Sequence, residues 1–108
     1  MPLYIMYFNL KDGVSEEEFV KKSKEWVSYI EGKVEGVRAE TMKLYRHHFF
    51  GANQRVYQMH FEFDDFSAWD GFTKFLEKDK KGAKLMDEWH NLMDYKTPFD
   101  EFVREIPL

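Results

Sequence analysis

The sequence contains no cysteine. That excludes a disulfide framework, a thiolate nucleophile and any metal site built on thiolates. It also lacks a basic excess: 16 Lys and Arg stand against 20 Asp and Glu, for a net charge of −4. Nucleic-acid binding wants a positive footprint, so that function class is set aside. No apolar run approaches the ~20 residues of a membrane span. No basic segment followed by an apolar one opens the chain, so a soluble, cytoplasmic protein without a signal peptide is expected. Glycine and proline are sparse, at six and three residues. There is no repeat, linker or low-complexity segment, and residues 1–108 read as a single domain. A chain of this length buries roughly 65% of its unfolded surface, enough for one core. What is abundant is aromatic: 19% of the residues, with eleven Phe and three Trp. Such a composition builds a tightly packed core, an aromatic-lined pocket or a subunit interface.

The chain is organised around Gln54 to Asp65. Tyr57, Met59, Phe61 and Phe63 alternate there with Gln58, His60 and Glu62, the period of a strand with one apolar and one polar face. Leu3 to Phe8 is apolar on both sides, as a central strand should be. Ser15 with Glu18 forms a capping-box signature. Phe19, Val20, Ser23, Trp26, Val27 and Ile30 then follow at helical spacing, with Gly32 and Gly36 at the end of that helix. Val37 to about His48 reads as a second strand, joined to the third by Phe49 to Asn53, with Gly51 inside that connection. Matching apolar neighbours sets Met42 and Leu44 beside Met59 and Phe61. Thr41, Lys43 and Tyr45 then share a face with Gln58, His60 and Glu62. A second helix opens near Asp65 or Ser67 and carries Trp69, Phe72 and Leu76. Lys78 to Gly82 breaks the pattern. A third helix carries Leu85, Met86, Trp89, Leu92 and Met93. Pro98 ends it, and Phe99 to Ile106 reads as a last strand.

The order β-α-β-β-α-(α)-β with adjacent hairpin strands gives an α+β, ferredoxin-like fold: a four-stranded antiparallel sheet with helices on one face. This order, the length, the opening strand and the split second helix resemble the dimeric α/β-barrel superfamily. Antibiotic-biosynthesis-type monooxygenases, stress-responsive barrel proteins and haem-degrading monooxygenases belong to it. The resemblance covers nearly the whole chain. It implies a homodimer whose two sheets pack face to face into an eight-stranded barrel, with Val37, Ala39 and Val56 buried against the partner. In the haem-degrading relatives a helical histidine, a first-strand asparagine and a tryptophan make the site. Asn9, Trp69 and His90 are those residue types here, but the Trp-to-His spacing departs from that pattern, and no cofactor is expected.

Two sets of residues are chemical candidates. His60, with Tyr45 and Glu62 on the same face and Lys43 beside them, has the groups for proton transfer, since histidine titrates near neutral pH. The same groups also make a satisfied polar network inside a dimer, with Lys43 and Glu62 as an ion pair. Trp26, Trp69 and Trp89 sit on three helical stripes aimed at one sheet face. They pack as core or, with Met59, Phe61 and the adaptable Met86, line a pocket whose mouth carries Tyr57, Arg55 and His90. Such a pocket suits a hydrophobic or amphipathic molecule, either fatty-acid-like or flat and polycyclic. His47 and His48 point to opposite faces of a strand and make no metal site. Ser15, Ser23, Ser28 and Ser67 have no histidine in a relay, and no glycine-rich loop precedes a helix. Two functions stay open. One is a homodimer that binds a hydrophobic small molecule between sheet and helices, as a cofactor-independent monooxygenase or isomerase. The other is a non-catalytic stress-type barrel that serves as a binding or structural module.

Overall fold

Alternation and helical stripes resolve into seven elements in a computed structural model that describes residues 2–48 and 55–108. They are β1 (Pro2–Phe8), α1 (Glu16–Ile30), β2 (Val37–Arg46), β3 (Tyr57–Phe63), α2 (Phe66–Lys78), α3 (Lys80–His90) and β4 (Phe99–Arg104). The expected connection Phe49 to Asn53 lies outside the described residues. The sheet runs β2-β3-β1-β4, and every pairing is antiparallel. β1 is therefore central, which accounts for its two apolar sides. Tyr4, Met6 and Phe8 of β1 and Tyr57, Met59, Phe61 and Phe63 of β3 join the helices in one core. Among the described residues no helix is long and apolar enough to cross a membrane.

The helix ends follow side-chain chemistry. Ser15 Oγ accepts from Glu18 N at 3.0 Å and starts α1. The break between α2 and α3 is a single residue rather than the whole of Lys78 to Gly82. Asp79 closes α2 by donating its backbone N–H to the Phe75 carbonyl at 2.9 Å, and its carboxylate caps α3 by accepting from Gly82 N at 2.9 Å. One aspartate with both roles lets two helices meet without a loop. The Tyr29 hydroxyl donates to the same carboxylate at 2.8 Å and ties α1 to the junction. Gly36 has φ +82°, and a Cβ there would lie 2.7 Å from Ala68 Cβ, so only glycine lets β2 start beside α2.

The β2–β3 register agrees with expectation at one end and departs from it at the other. Leu44 faces Met59 and Tyr45 faces Gln58, but the ladder shifts between Arg38 and Lys43. Ala39, Glu40, Thr41 and Met42 stand opposite Phe61 alone, a bulge that apolar matching of Met42 to Phe61 did not foresee. Thr41 fills it: its Oγ1 donates to the Arg38 carbonyl at 2.7 Å and accepts from Glu62 N at 2.8 Å. Val37 faces Phe63, and both Val37 and Ala39 are buried in the protomer's own core. The expectation that a partner covers them is corrected, and Val56 packs partly against the same core. β4 ends at Arg104 rather than Ile106 because Arg104 already pairs with Pro2, the start of β1. The open face of the sheet carries Leu3, Ile5 and Tyr7 of β1 beside Glu62, His60 and Gln58 of β3.

Candidate functional site

Between the sheet and the helices lies a cavity of about 430 Å³. Met6, Met59 and Phe61 make its floor on the sheet. Trp26 of α1, Trp69 and Phe72 of α2 and Trp89 of α3 make its aromatic wall, and Leu76 and Met86 add flexible side chains. The gap has a packing cause: three indoles converge on one sheet face, and large rings leave voids that smaller side chains do not fill. Trp26 stacks on Trp89 with centroids 5.1 Å apart, while Trp69 lies 4.7 Å from the Tyr4 ring. Trp89 is fixed further by its Nε1, which donates to Ser23 Oγ at 2.9 Å. Ser23 in turn donates to the Phe19 carbonyl at 2.8 Å, which explains a serine on the buried stripe of α1.

Tyr4, His90 and Asp100 come together from β1, α3 and β4 as a polar edge of the cavity, and Thr73 and Glu77 of α2 also line it. Burial holds the Tyr4 phenol well above its ordinary pKa, and the charge of Asp100 and a hydrogen bond to its carboxylate act in the same direction. Tyr4 therefore stays protonated at neutral pH and donates. Burial lowers the His90 pKa, against the opposing pull of Asp100 and Asp87. The imidazole is thus neutral at pH 7, held against the Trp89 ring at 5.5 Å. A neutral imidazole, a protonated phenol and a carboxylate at one apolar cavity can remove a proton from a bound molecule and donate a hydrogen bond to the oxygen that gains charge.

Of the residues expected at a pocket, the structure brings Trp26, Met59, Phe61, Trp69, Met86, Trp89 and His90 round this cavity. Tyr57 is elsewhere. Its hydroxyl donates to Glu16 at 3.0 Å, and it lines a separate groove between α1 and β2. Arg55 is not at the mouth either: its Nε donates to the Thr97 carbonyl at 2.8 Å and its guanidinium sits over Phe99. Tyr4 and Asp100 were not singled out in the sequence. Asp100 joins the site because β4 pairs with β1, placing it opposite Met6, and nothing within the strand marked it out, since Glu101 and Arg104 are charged as well.

The other candidate set lies on the opposite side of the sheet. The Tyr45 and His60 rings are 5.4 Å apart, and Lys43 stands directly opposite His60. Burial first, then the Lys43 charge, lowers the His60 pKa, with Glu62 opposing. His60 Nδ1 is buried and has no hydrogen-bond partner among the described residues. Tyr45 is 45% exposed. The expected Lys43–Glu62 ion pair is not formed among the described residues. The bulge sets Glu62 against Arg38 instead, and Arg38 pairs with Asp64 at 2.9 Å. A sheet separates His60 from His90, so one small molecule does not touch both sets.

His47 is tied down through Nε2 to Gln58 Oε1 at 3.2 Å and through Nδ1 to the Arg55 carbonyl. Among the described residues no cluster of three or more His, Asp or Glu side chains is placed to hold a metal. The haem-type residues do not converge. The Asn9 side chain accepts from Val56 N at 2.7 Å, beyond the end of β1. Trp69 packs on Tyr4, roughly 16 Å away along that strand at the usual rise per residue. These residues do not fit a haem.

Comparison with known proteins places the fold. No family model matches the sequence, and no curated protein does. Solved structures match over nearly the full length of both chains. A protein from Arabidopsis thaliana superposes with a TM-score of 0.76 at 11% identity, covering 100% of this chain and 98% of its own. SnoaB, a cofactor-independent oxygenase from Streptomyces nogalater, gives 0.68 at 9% identity, covering 99% and 94%. A Dabb family protein from Mesorhizobium loti gives 0.66 at 18% identity, covering 98% and 97%. A hydroxynitrile lyase from Passiflora edulis and dimeric ferredoxin-like proteins from Bacteroides fragilis and Jannaschia share the arrangement. The chain has a ferredoxin-like fold.

Proposed function

We propose that this chain is a homodimer, joined through the open face of its sheets, that binds an apolar or amphipathic small molecule in the cavity between sheet and helices. Each protomer then acts on that molecule by proton transfer, without a cofactor, as an isomerase-, lyase- or oxygenase-type enzyme. The observation that carries this reading is the cavity itself: an aromatic and methionine lining with one polar edge, where His90 is neutral and Tyr4 protonated. A purely structural core has no use for such an edge. His90 is the base, Asp100 stabilises the imidazolium that His90 becomes, and the Tyr4 hydroxyl, with its single proton, turns from Asp100 to donate to the oxygen that gains charge. The apolar wall supplies affinity at about 25 cal/mol per Å² buried, before association costs. It also keeps water from the proton in transit. The similarity to SnoaB and to the hydroxynitrile lyase supports small-molecule chemistry on this fold. The similarity to dimeric proteins, and an open face bearing the half-buried Leu3 and Tyr7, support the dimer.

The experiment is α-proton exchange of 2-acetonaphthone in D₂O, followed by proton NMR. The protein accelerates exchange, and His90→Gln removes the acceleration while leaving binding within about threefold. Met86→Trp fills the cavity and removes both. Exchange that survives in both variants defeats the reading. Binding without exchange in the unmodified protein leaves the non-catalytic binding module as the correct one.

A further inference from the structure

The charges around the cavity are all of one sign. Among the residues that line it, only Thr73, Glu77 and Asp100 are exposed, so they mark its mouth, and two of the three are carboxylates. No Lys or Arg lines the cavity. None lines the smaller recess of about 190 Å³ beside it either, which shares Tyr4, Met6, His90 and Asp100. The charges that act on His90 are again carboxylates, Asp100 and Asp87. Basic residues are not scarce in this chain, but their ion pairs lie elsewhere. Lys22 pairs with Glu25 and Glu88, Arg38 with Asp64 and Arg46 with Glu16. Among the described residues no such pair neutralises Glu77, Asp87 or Asp100. Behind the mouth the wall is aromatic and apolar, and a low-dielectric wall concentrates the field of the charges at its rim.

We infer that the molecule bound in this cavity is an amphipathic cation: an apolar body with a protonated amine at its outer end, held at the mouth by Glu77 and Asp100. This rests on the ligand-binding reading above and narrows it. The body fills the aromatic interior, which selects for shape and not for charge. The ammonium stays at the rim beside two exposed carboxylates. It keeps part of its hydration there and avoids the desolvation cost of a buried charge. A fatty acid fits the same interior, but its carboxylate meets Glu77 and Asp100 with no Lys or Arg in the lining to receive it. The site therefore discriminates by repulsion of the anion as well as by attraction of the cation.

The test uses three probes that share a ring system and nearly a length: 2-(2-naphthyl)ethylamine, 2-(2-naphthyl)ethanol and 2-naphthylacetate. They are a cation, a neutral molecule and an anion at pH 7. Calorimetry measures each on the unmodified protein at low and at high salt. The amine is expected to bind about fivefold more tightly than the alcohol, the factor of one good exposed ion pair. It should exceed the carboxylate by at least about twentyfold, and high salt should shrink both ratios. This order is read on the unmodified protein and needs no variant to fold. Glu77→Gln and Asp100→Asn, both at exposed positions, should each lower the amine-to-alcohol ratio, and together they should bring it to about one. Glu40→Gln, on the far edge strand β2, makes the same change in net charge and should leave the ratio as it is. A carboxylate that binds as tightly as the amine, a ratio that survives in the double variant, or one that Glu40→Gln lowers equally overturns the inference. The cavity reading stands in those cases, because the alcohol still binds and Met86→Trp removes it. If none of the three binds the unmodified protein, the cavity reading fails and this inference with it.

Discussion

The two faces of the sheet are built by the same alternation and serve different ends. On the helix side, Phe8, Phe61, Phe63 and Met59 are almost entirely buried. Polar groups there are few, chiefly Ser23 under Trp89 and the trio of Tyr4, His90 and Asp100 at one edge. On the open side, aliphatic and aromatic β1 residues run beside the polar β3 residues Gln58, His60 and Glu62. That mixture is too apolar for plain solvent and too polar for a monomer core. The first face holds the protomer together and encloses the cavity; the second is the face through which the proposed dimer forms. Four changes break or sharpen this contrast.

The largest effect belongs to the helix side. Trp89→Ala removes an indole and the donor to Ser23 Oγ, and should cost about 3–5 kcal/mol of folding stability in chemical denaturation, as for other buried aromatic truncations. A loss below about 1 kcal/mol would mean that the neighbouring cavity already provides the space. On the open side, Leu3→Asp, at a half-buried position near the end of β1, should leave the protomer folded by circular dichroism. It should weaken association by about 3 kcal/mol, more than a hundredfold in Kd, by burying an unpaired charge. Sedimentation at micromolar concentration reads this directly, and an unmodified protein that already sediments as a monomer removes the contrast. Thr41→Val keeps the shape but orphans the Glu62 N–H in the bulge, for about 1–2 kcal/mol in thermal or chemical unfolding.

The smallest effect is a pH dependence that separates the faces. Burial lowers the folded-state pKa of both His60 and His90. The unfolded chain therefore binds more protons below its ordinary histidine pKa of about 6.5. Stability is fully present above that pH and is lost as pH falls through the folded-state values. His90→Gln and His60→Gln should each flatten part of this slope. If the proposed dimer forms through the open face, the His60 part should depend on protein concentration and the His90 part should not. Equal concentration dependence in both variants would erase the distinction.

Much of the fold was legible because its signals are local. Ser15 with Glu18 gave a helix start, the alternation of Tyr57 to Phe63 gave a strand, and the two-sided apolarity of Leu3 to Phe8 gave a central position in the sheet. The cavity-lining tryptophans were legible for the same reason, since helical spacing shows which way a side chain faces. What escaped is non-local or turns on one side chain. No apolar match announces that Thr41 accommodates a bulge, so Val37 and Ala39 were assigned to the wrong partner. Tyr57 carries the pattern of a pocket residue, but its hydroxyl is taken by Glu16 across the groove. Asp100 and Tyr4 meet only because β4 lies beside β1, a fact of sheet order that single-strand patterns do not carry. Trp26 Nε1 has no acceptor among the described residues whereas Trp89 Nε1 has Ser23, a difference that depends on which indole lies over Ser23.

The kink at Ala39 to Met42 has a further consequence at the scale of the solution. β2 is an edge strand, and a long flat edge is a template on which strands of other molecules add without limit. With a bulge in its middle, β2 presents no straight run of backbone donors and acceptors, and chains cannot zip along it copy after copy. Thr41, which joins the two sides of that kink, therefore guards colloidal behaviour as well as local geometry: irregularity at the rim works against open-ended growth.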